Sequence, residues 1–434
     1  MEFRNLLTFL FTALSIFVSA QSPEEDYASD NVLRYDDYVY KPNIRTVLFH
    51  DVRWDYSAPV MSLRGNESIE LSFDDTDGDL KRYALTFVHC NADWTPSDLM
   101  QSEYMNGYMD LNIQNYGFSK NTIQKYVHHS ITFPQQGLQF TKSGNYLLYV
   151  YVYGDRSQLV LSRRMLVYDD KLFITATFHQ QIGGGEQYKK QQLDFEITPQ
   201  GYDLNNPYRD VKLVITQNNR WDNAVTDIKP TFVQGQKLVY SLDEASCFPG
   251  GNEFRYFDIR SLRFLTERTK EIYRDADLKY YVNLHPDENW STKPYLFHND
   301  INGGFEIRNS ETLGNMEVEA DYAYVNFFLP YKNPESKGNF YIMGKLTDWR
   351  MNRNSKMTYN YKRGGYEATL YLKQGYYNYM YVLSEDGKKG GNGTVTEGSH
   401  WDTENDYNIL VYHRKFGTYY DQLIGYKRLN TLRK

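Results

Sequence analysis

The sequence has 434 residues, with 48 Lys and Arg against 55 Asp and Glu, a net charge of -7 and 41 Tyr. It contains no block of Lys or Arg, which argues against nucleic acid or an anionic lipid surface as the partner. The length exceeds what one hydrophobic core usually organises, so two to four domains are expected, and the many Tyr and Phe residues favour strands over helices.

The N-terminus has the pattern of a cleavable secretory signal. Arg4 precedes an apolar run over residues 6–18, and the small residue Ala20 follows that run. A membrane anchor is the alternative, but the run is shorter than the roughly 20 residues that a spanning helix needs. We therefore expect residues 1–20 to be a signal peptide and the remaining chain to be exported.

Alternation of apolar and polar residues predicts strands throughout the rest of the chain. In a strand, side chains two residues apart lie on the same face, so Leu193, Phe195 and Ile197 would share a buried face. The same alternation occurs at Leu172 and Ile174. It occurs again in the segment MEVEADYAY, at Val318, Ala320, Tyr322 and Tyr324. The sequence predicts an all-β protein built from sandwiches, with few helices.

A local pattern, in which a turn glycine precedes a strand rich in aromatic residues, occurs three times. It begins at Gly144, Gly251 and Gly375, and these positions are separated by about the length of one sandwich domain. We therefore predict three consecutive immunoglobulin-like or early-set β-sandwich domains.

Polar, turn-rich segments suggest where these domains meet. One lies at Asp169 and Asp170, and the other covers residues 285–304. The predicted ranges are 21–169 for the N-terminal sandwich, 170–300 for the middle sandwich and 301–434 for the C-terminal early-set-like sandwich. Cys90 and Cys247 then fall in separate domains, although their pairing stays open.

Four aspartates between residues 74 and 79 raise the question of a calcium loop. Counted from Asp75, an EF-hand would need Gly where Leu80 stands and Glu where Thr86 stands. A hairpin turn at Asp77 and Gly78 is the preferred interpretation. No metal site is predicted.

No catalytic motif is found. His89 and Cys90 are adjacent, but neighbouring side chains of a strand point to opposite faces and would not form a nucleophile and base. The sequence predicts no catalytic residue, no cofactor and no enzymatic activity.

The segment from about residue 337 to residue 412 resembles the early-set sandwiches that include starch- and glycogen-binding modules. The resemblance rests on GKLTDW, on YEATLYLKQGYYNYMYVL and on a closing strand DYNILVYH. It implies that Trp349 would stack on a sugar ring and that Trp401 could replace a second aromatic contact, whereas Met380 stands at the position of the expected Lys. A periplasmic glucan-binding module or accessory protein is therefore the alternative function.

A second resemblance covers the whole chain. The blocks HCNADWTPSDL, HHSITFPQQGLQFTKSGNYLLYVY and CFPGGNEFRYFD, in this order before the early-set domain, resemble the plug protein of the type IX secretion system of Bacteroidota. This resemblance implies a non-enzymatic periplasmic protein that closes the periplasmic opening of a large outer-membrane β-barrel translocon. It would bind that barrel without nucleic acid and without direct membrane insertion.

Contact residues for such a partner are expected on exposed loops, since binding residues tend to lie on loops held by a rigid scaffold. Two polar loops rich in Lys are the candidates. Their residues are Gln187, Tyr188, Lys189, Lys190, Lys388, Lys389, Gly391 and Asn392.

Overall fold

The computed structural model describes residues 32–181, 186–241, 246–387 and 390–432. The predicted signal peptide, residues 1–20, lies outside this described part. The all-β prediction is confirmed, because antiparallel sheets dominate the described residues and the helices are single turns. Those turns are α1 (Gln101–Tyr104), α2 (Pro207–Asp210), α3 (Met316–Glu319) and α4 (Thr394–Glu397). None of the described helices is long and apolar enough to cross a membrane.

The first sandwich is built from one continuous stretch of chain. One sheet has the order β1-β12-β11-β5-β7, with β3 on β12, and the facing sheet has the order β2-β4-β9-β8, while β6 and β10 form a separate ribbon. The strands are β1 (Tyr38–Val39), β2 (Ile44–Asp51), β3 (Val60–Ser62), β4 (Ile69–Asp75), β5 (Tyr83–Cys90), β6 (Met105–Gly107), β7 (Leu111–Asn112), β8 (Asn115–Phe118), β9 (Val127–Phe133), β10 (Leu138–Phe140), β11 (Gly144–Val152) and β12 (Asp155–Tyr168).

The turn at Asp77 and Gly78 does not close a hairpin, so that prediction is wrong. It connects β4 to β5, which lie in opposite sheets of the first sandwich. Alternating local sequence specifies the two strands, but it does not specify whether they pair with each other. Lys81 contacts the carboxylates of Asp75, Asp77 and Asp79.

The second sandwich uses two distant segments of the chain. Its sheets have the orders β13-β14-β18-β17, with β19 on β14, and β16-β15-β29-β30. Leu193, Phe195 and Ile197 are buried between these sheets, as the alternation predicts. The strands are β13 (Leu172–Gln180), β14 (Lys190–Pro199), β15 (Val211–Gln217), β16 (Val225–Thr226), β17 (Phe232–Gln234), β18 (Lys237–Tyr240), β19 (Cys247–Pro249), β29 (Asp406–His413) and β30 (Gln422–Asn430).

The third sandwich lies in the chain between β19 and β29. Its sheets have the orders β20-β28-β23, with β25 on β28, and β21-β22-β24-β27-β26. The strands are β20 (Arg255–Asp258), β21 (Thr269–Arg274), β22 (Tyr280–Leu284), β23 (Phe305–Ile307), β24 (Tyr322–Pro330), β25 (Gly338–Met343), β26 (Thr358–Asn360), β27 (Gly365–Lys373) and β28 (Gly375–Glu385).

Strand pairing divides the chain differently from the predicted ranges 170–300 and 301–434. β20 pairs with β28, and β22 pairs with β24, so residues 255–284 belong to the sheets of the third sandwich. In the other direction, β29 returns to pair with β15 of the second sandwich. Two of the three glycine-led aromatic strands, β20 and β28, are therefore neighbours in one sheet.

Candidate functional site

The three sandwiches surround a common cavity. It has a volume of about 720 Å³ and is lined by side chains from all three sandwiches. Representative lining residues are Arg163 and Arg164 of the first sandwich, Trp221 of the second and Trp349 of the third. Because every sandwich contributes to its wall, the geometry of this cavity depends on how the three are held together.

A buried ion pair joins the first sandwich to the third. Lys373 of β27 donates to the Oδ2 of Asp74 in β4 at 2.6 Å, and Tyr322 donates to the same oxygen at 2.6 Å. His128 donates from Nδ1 to the other carboxylate oxygen at 2.7 Å. Burial raises the pKa of Asp74, but Lys373 and His128 outweigh that effect and hold the pKa below its usual value.

Backbone groups strengthen the same junction. The carboxylate of Asp321 accepts hydrogen bonds from the amides of Ile123 at 2.6 Å and Gln124 at 3.0 Å. Tyr126 donates its hydroxyl to the carbonyl of Ala320 at 2.8 Å. Since these contacts join segments about 200 residues apart in the chain, they fix the orientation of the two sandwiches.

A loop of the third sandwich makes a further contact with the first. Asp348 accepts two hydrogen bonds from Arg163, both at 3.1 Å, and Arg350 donates to Asp36 at 2.6 Å. Lys345, at the start of this loop, lines the cavity, and burial lowers its pKa to about 8.

The first and second sandwiches meet through aromatic rings. Trp94 and Trp221 contact each other edge to face with ring centroids 4.9 Å apart, and the guanidinium of Arg164 lies 4.4 Å from the Trp94 ring. From the C-terminal strands, Tyr412 donates its hydroxyl to Asn145 of β11 at 2.6 Å. Edge-to-face rings and a cation over a ring are favourable contacts beyond their buried area.

Trp349, the predicted sugar contact, lies half-buried at this junction. The guanidinium of Arg220 lies 4.8 Å from its ring centroid, and the Phe254 ring contacts it edge to face at 5.8 Å. Met380, which stands where the sugar-binding pattern has Lys, packs in the same small cluster. One face of the indole is therefore covered by the second sandwich.

Trp401, the second predicted sugar contact, lies next to one of the predicted partner loops. Its amide donates to the carbonyl of Tyr188 at 2.9 Å, and its carbonyl accepts from Gln191 at 2.7 Å. In that loop Gln187, Tyr188 and Lys189 are exposed. The structure thus brings together two groups that sequence analysis assigned to different functions.

The second predicted partner loop is partly described. Lys388 and Lys389 lie outside the described residues. Gly391 is half-buried against Val382, and Asn392 exchanges two backbone hydrogen bonds with Leu383 at 2.9 and 3.0 Å. The last two residues of this predicted loop, Gly391 and Asn392, therefore pack against β28 of the third sandwich.

Three carboxylates that sequence analysis missed converge beside the cavity. One carboxylate oxygen from each of Glu253, Asp300 and Glu404 lies within 4.8 Å of the others. Burial raises the pKa of Asp300 to about 8 and also raises the pKa of Glu253 and Glu404. The residues are far apart in sequence, and none belongs to a recognisable motif.

The adjacent His89 and Cys90 are not arranged for nucleophilic catalysis. Burial raises the pKa of the Cys90 thiol to about 12 and lowers the pKa of His89 to about 4. The ring of His89 contacts Ser97 at 2.9 Å and the carbonyl of Ser143 at 3.2 Å. A neutral, buried thiol is a poor nucleophile.

Comparisons with known proteins link the first sandwich to a secretion system. Residues 44–169 match the family described as type 9 secretion system plug protein 1st domain. The whole fold is similar to the crystal structure, at 2.30 Å resolution, of a hypothetical protein from Parabacteroides merdae ATCC 43184. The identity is 32%, the TM-score is 0.88, and the match covers 92% of this chain and 100% of that chain. No curated protein matches the chain.

Proposed function

Because the chain belongs to the type 9 secretion system plug family, we propose that it closes the periplasmic opening of the outer-membrane translocon of that system when no substrate occupies it. The match of residues 44–169 to the first plug domain carries this proposal. Family membership also indicates a non-enzymatic role and a periplasmic location. The partner would be a large outer-membrane β-barrel, and closure would need no cofactor.

The contacts between the sandwiches support a plug that works by occupying space. Buried contacts such as Asp74 with Lys373 and Tyr412 with Asn145 hold the three sandwiches in fixed positions. A compact body of this length has a radius of gyration of roughly 20 Å, which is wide enough to obstruct a large pore. Obstruction requires a rigid shape and a stable interface, and it requires no catalytic group.

Outer-membrane permeability tests this function. We expect a strain lacking this protein to admit a large hydrophilic antibiotic that the parent strain excludes, because the barrel is left open. A strain lacking both this protein and the barrel should exclude the antibiotic again, and restoring the full chain to the single mutant should do the same. Leakage that persists in the double mutant would contradict the proposal.

We also propose that the loop at Gln187–Lys190 contributes contacts to the barrel. Tyr188 is 66% exposed at this loop, and Tyr361 is 80% exposed at a hairpin of the third sandwich. After mild cross-linking, tagged wild-type protein should recover the barrel in near-equal amount. Tyr188→Ala should reduce this recovery several-fold, as a truncated aromatic anchor does, whereas the matched control Tyr361→Ala should not.

Recovery of the barrel by Tyr188→Ala at the wild-type level would exclude this loop as a contact, although the plug function would stand.

The glucan-binding alternative gains no support from the positions of Trp349 and Trp401, since both are half-buried in contacts with the protein's own residues.

A further inference from the structure

The structure assigns a calcium site to Glu253, Asp300 and Glu404, at the contact between the second and third sandwiches. Glu253 and Asp300 precede strands of the third sandwich, whereas Glu404 precedes β29 of the second. One oxygen from each side chain lies within 4.8 Å of the others. A cation bound to all three would tie the two sandwiches together.

A buried oxygen without a hydrogen-bond partner supports this assignment independently of the clustering. Glu253 is only 2% exposed, and within the described part of the chain its Oε2 has no hydrogen-bond partner. Its other oxygen, Oε1, accepts from the amide of Glu404 at 3.1 Å and from the hydroxyl of Tyr295. Leaving a buried carboxylate oxygen unpaired is costly, and a bound cation would satisfy it.

Asn302 lies beside the same carboxylates. Its side-chain nitrogen donates to Glu404 at 3.0 Å, and its backbone amide donates to Asp300 at 2.7 Å. Its side-chain Oδ1 is buried and has no hydrogen-bond partner among the described residues. Asn302 therefore contacts two of the three carboxylates, Glu404 through its side chain and Asp300 through its backbone amide. Its unpartnered Oδ1 would serve as a fourth ligand.

The chemistry of these ligands favours Ca²⁺ over other divalent ions. All the donors are oxygens, whereas Zn²⁺ sites are usually built from Cys and His. Mg²⁺ demands near-ideal octahedral geometry and usually keeps several of its waters, whereas Ca²⁺ accepts carboxylate and amide oxygens in a flexible geometry. Three carboxylates with a neighbouring side-chain amide form a ligand set of the kind that Ca²⁺ accepts. Asp300 and Glu404 also line the central cavity, which gives an ion a route to the site.

A second acidic cluster provides the matched control. Asp75, Asp77 and Asp79 are also close enough to share an ion, but the Lys81 ammonium lies among them, 3.0 Å from Asp75 and 3.2 Å from Asp79. This ammonium belongs to the chain and already occupies the position that an ion would take among the three carboxylates. The first cluster should therefore bind Ca²⁺ and the second should not.

Calorimetric titration of the chelator-treated full chain with CaCl₂ tests the site. We expect one Ca²⁺ per chain and a rise in the Tm on adding Ca²⁺. Asp300→Asn and Glu404→Gln should each weaken binding by more than about 100-fold, because changes even to groups behind the ligands cost about 10 to 100-fold. The control Asp79→Asn should bind as the wild type does.

The Tm without added metal shows whether each variant is folded. Absence of heat and of a Tm shift for the wild type at millimolar CaCl₂ would overturn the site. Unchanged binding by a folded Asp300→Asn variant would also overturn it, and an equal response to MgCl₂ would overturn the assignment to calcium. None of these outcomes bears on the plug function, which rests on separate observations.

Discussion

At the scale of single residues, the pair formed by Asp74 and Lys373 determines how firmly the first and third sandwiches are held. Their side chains are 0% and 1% exposed. Asp74→Asn or Lys373→Met would leave the other charge buried without its partner, so each should lower the free energy of unfolding by about 3 to 5 kcal/mol. The double variant should lose less than the sum of the two. Urea unfolding followed by tryptophan fluorescence measures these differences.

A surface pair gives the control for this prediction. Lys237 and Glu196 contact each other at 2.6 Å, but both are substantially exposed. Lys237→Met should therefore change the free energy of unfolding by less than about 1 kcal/mol. A similarly small effect of Asp74→Asn would show that the buried pair does not hold the sandwiches together.

His129 makes stability depend on pH. It is 1% exposed, both ring nitrogens lack partners in the described part of the chain, and burial lowers its pKa to about 4. The unfolded chain binds a proton at this residue below about pH 6.5, whereas the folded chain does so only below about pH 4. Stability should therefore fall as the pH falls through this window, by up to about 3 kcal/mol from this residue.

The variant His129→Phe should remove this contribution. The side chain already stacks on Phe73, with ring centroids 5.2 Å apart, so a phenyl ring fits the same aromatic contacts. Relative to wild type, the variant should gain more free energy of unfolding at pH 5 than at pH 8, as measured by urea unfolding. An equal gain at both pH values would mean that His129 does not titrate in this window.

At the scale of local elements, the turn at Gly303 tests how closely Trp349 is packed. Gly303 has φ +76°, and a Cβ atom there would lie 2.3 Å from Cη2 of Trp349 and 2.8 Å from Phe254. Gly364 has φ +68°, but nothing lies within 4 Å of its Cβ position. Gly364→Ala should cost about 1 to 2 kcal/mol from backbone strain alone, and Gly303→Ala should cost at least about 1 kcal/mol more.

Thermal and urea unfolding of the two variants give the comparison directly. Equal losses of stability would mean that the indole of Trp349 can move aside. That result would reopen the interpretation in which this ring is available to a ligand.

Elements with a local signal in the sequence could be predicted. The alternation that contains Phe195 predicts both the strand and its buried face, because a period of two follows from strand geometry. The strand predicted over MEVEADYAY is correct for Tyr322 and Tyr324, which lie in β24. It is wrong for Val318, which lies in α3, where the side chain of Asn315 accepts a hydrogen bond from the amide of Glu317. Short apolar runs of this kind fit either structure until a capping contact decides.

The candidate sites could not be predicted because their parts are distant in sequence. Glu253, Asp300 and Glu404 converge only after β29 has returned to the second sandwich. Trp349 is predicted from the sequence as a sugar contact, whereas its contact with Arg220 depends on how two sandwiches meet. Local periodicity contains no information about such contacts.

At the scale of the whole molecule, the C-terminal strands complete the second sandwich and bind it to the first. β29 pairs along the whole of β15, and the buried side chains of Ile409 and Val411 belong to the core of the second sandwich. The carboxylate of Asp421 accepts a hydrogen bond from the amide of Ala92, in the first sandwich, at 3.1 Å. The end of the chain is therefore needed both for one sandwich and for its attachment to another.

Ending the chain after residue 404 should consequently unfold the second sandwich and leave the first folded. In hydrogen exchange measured by mass spectrometry, the amides of β15 should lose their protection, since β29 is one of their two partner strands, while those of β11 stay protected by β5 and β12. The full chain is the control, and in it both strands should be protected. Continued protection of β15 in the shortened chain would show that the second sandwich folds without its returning strands, and loss of protection in β11 would show that the first cannot fold without its neighbour.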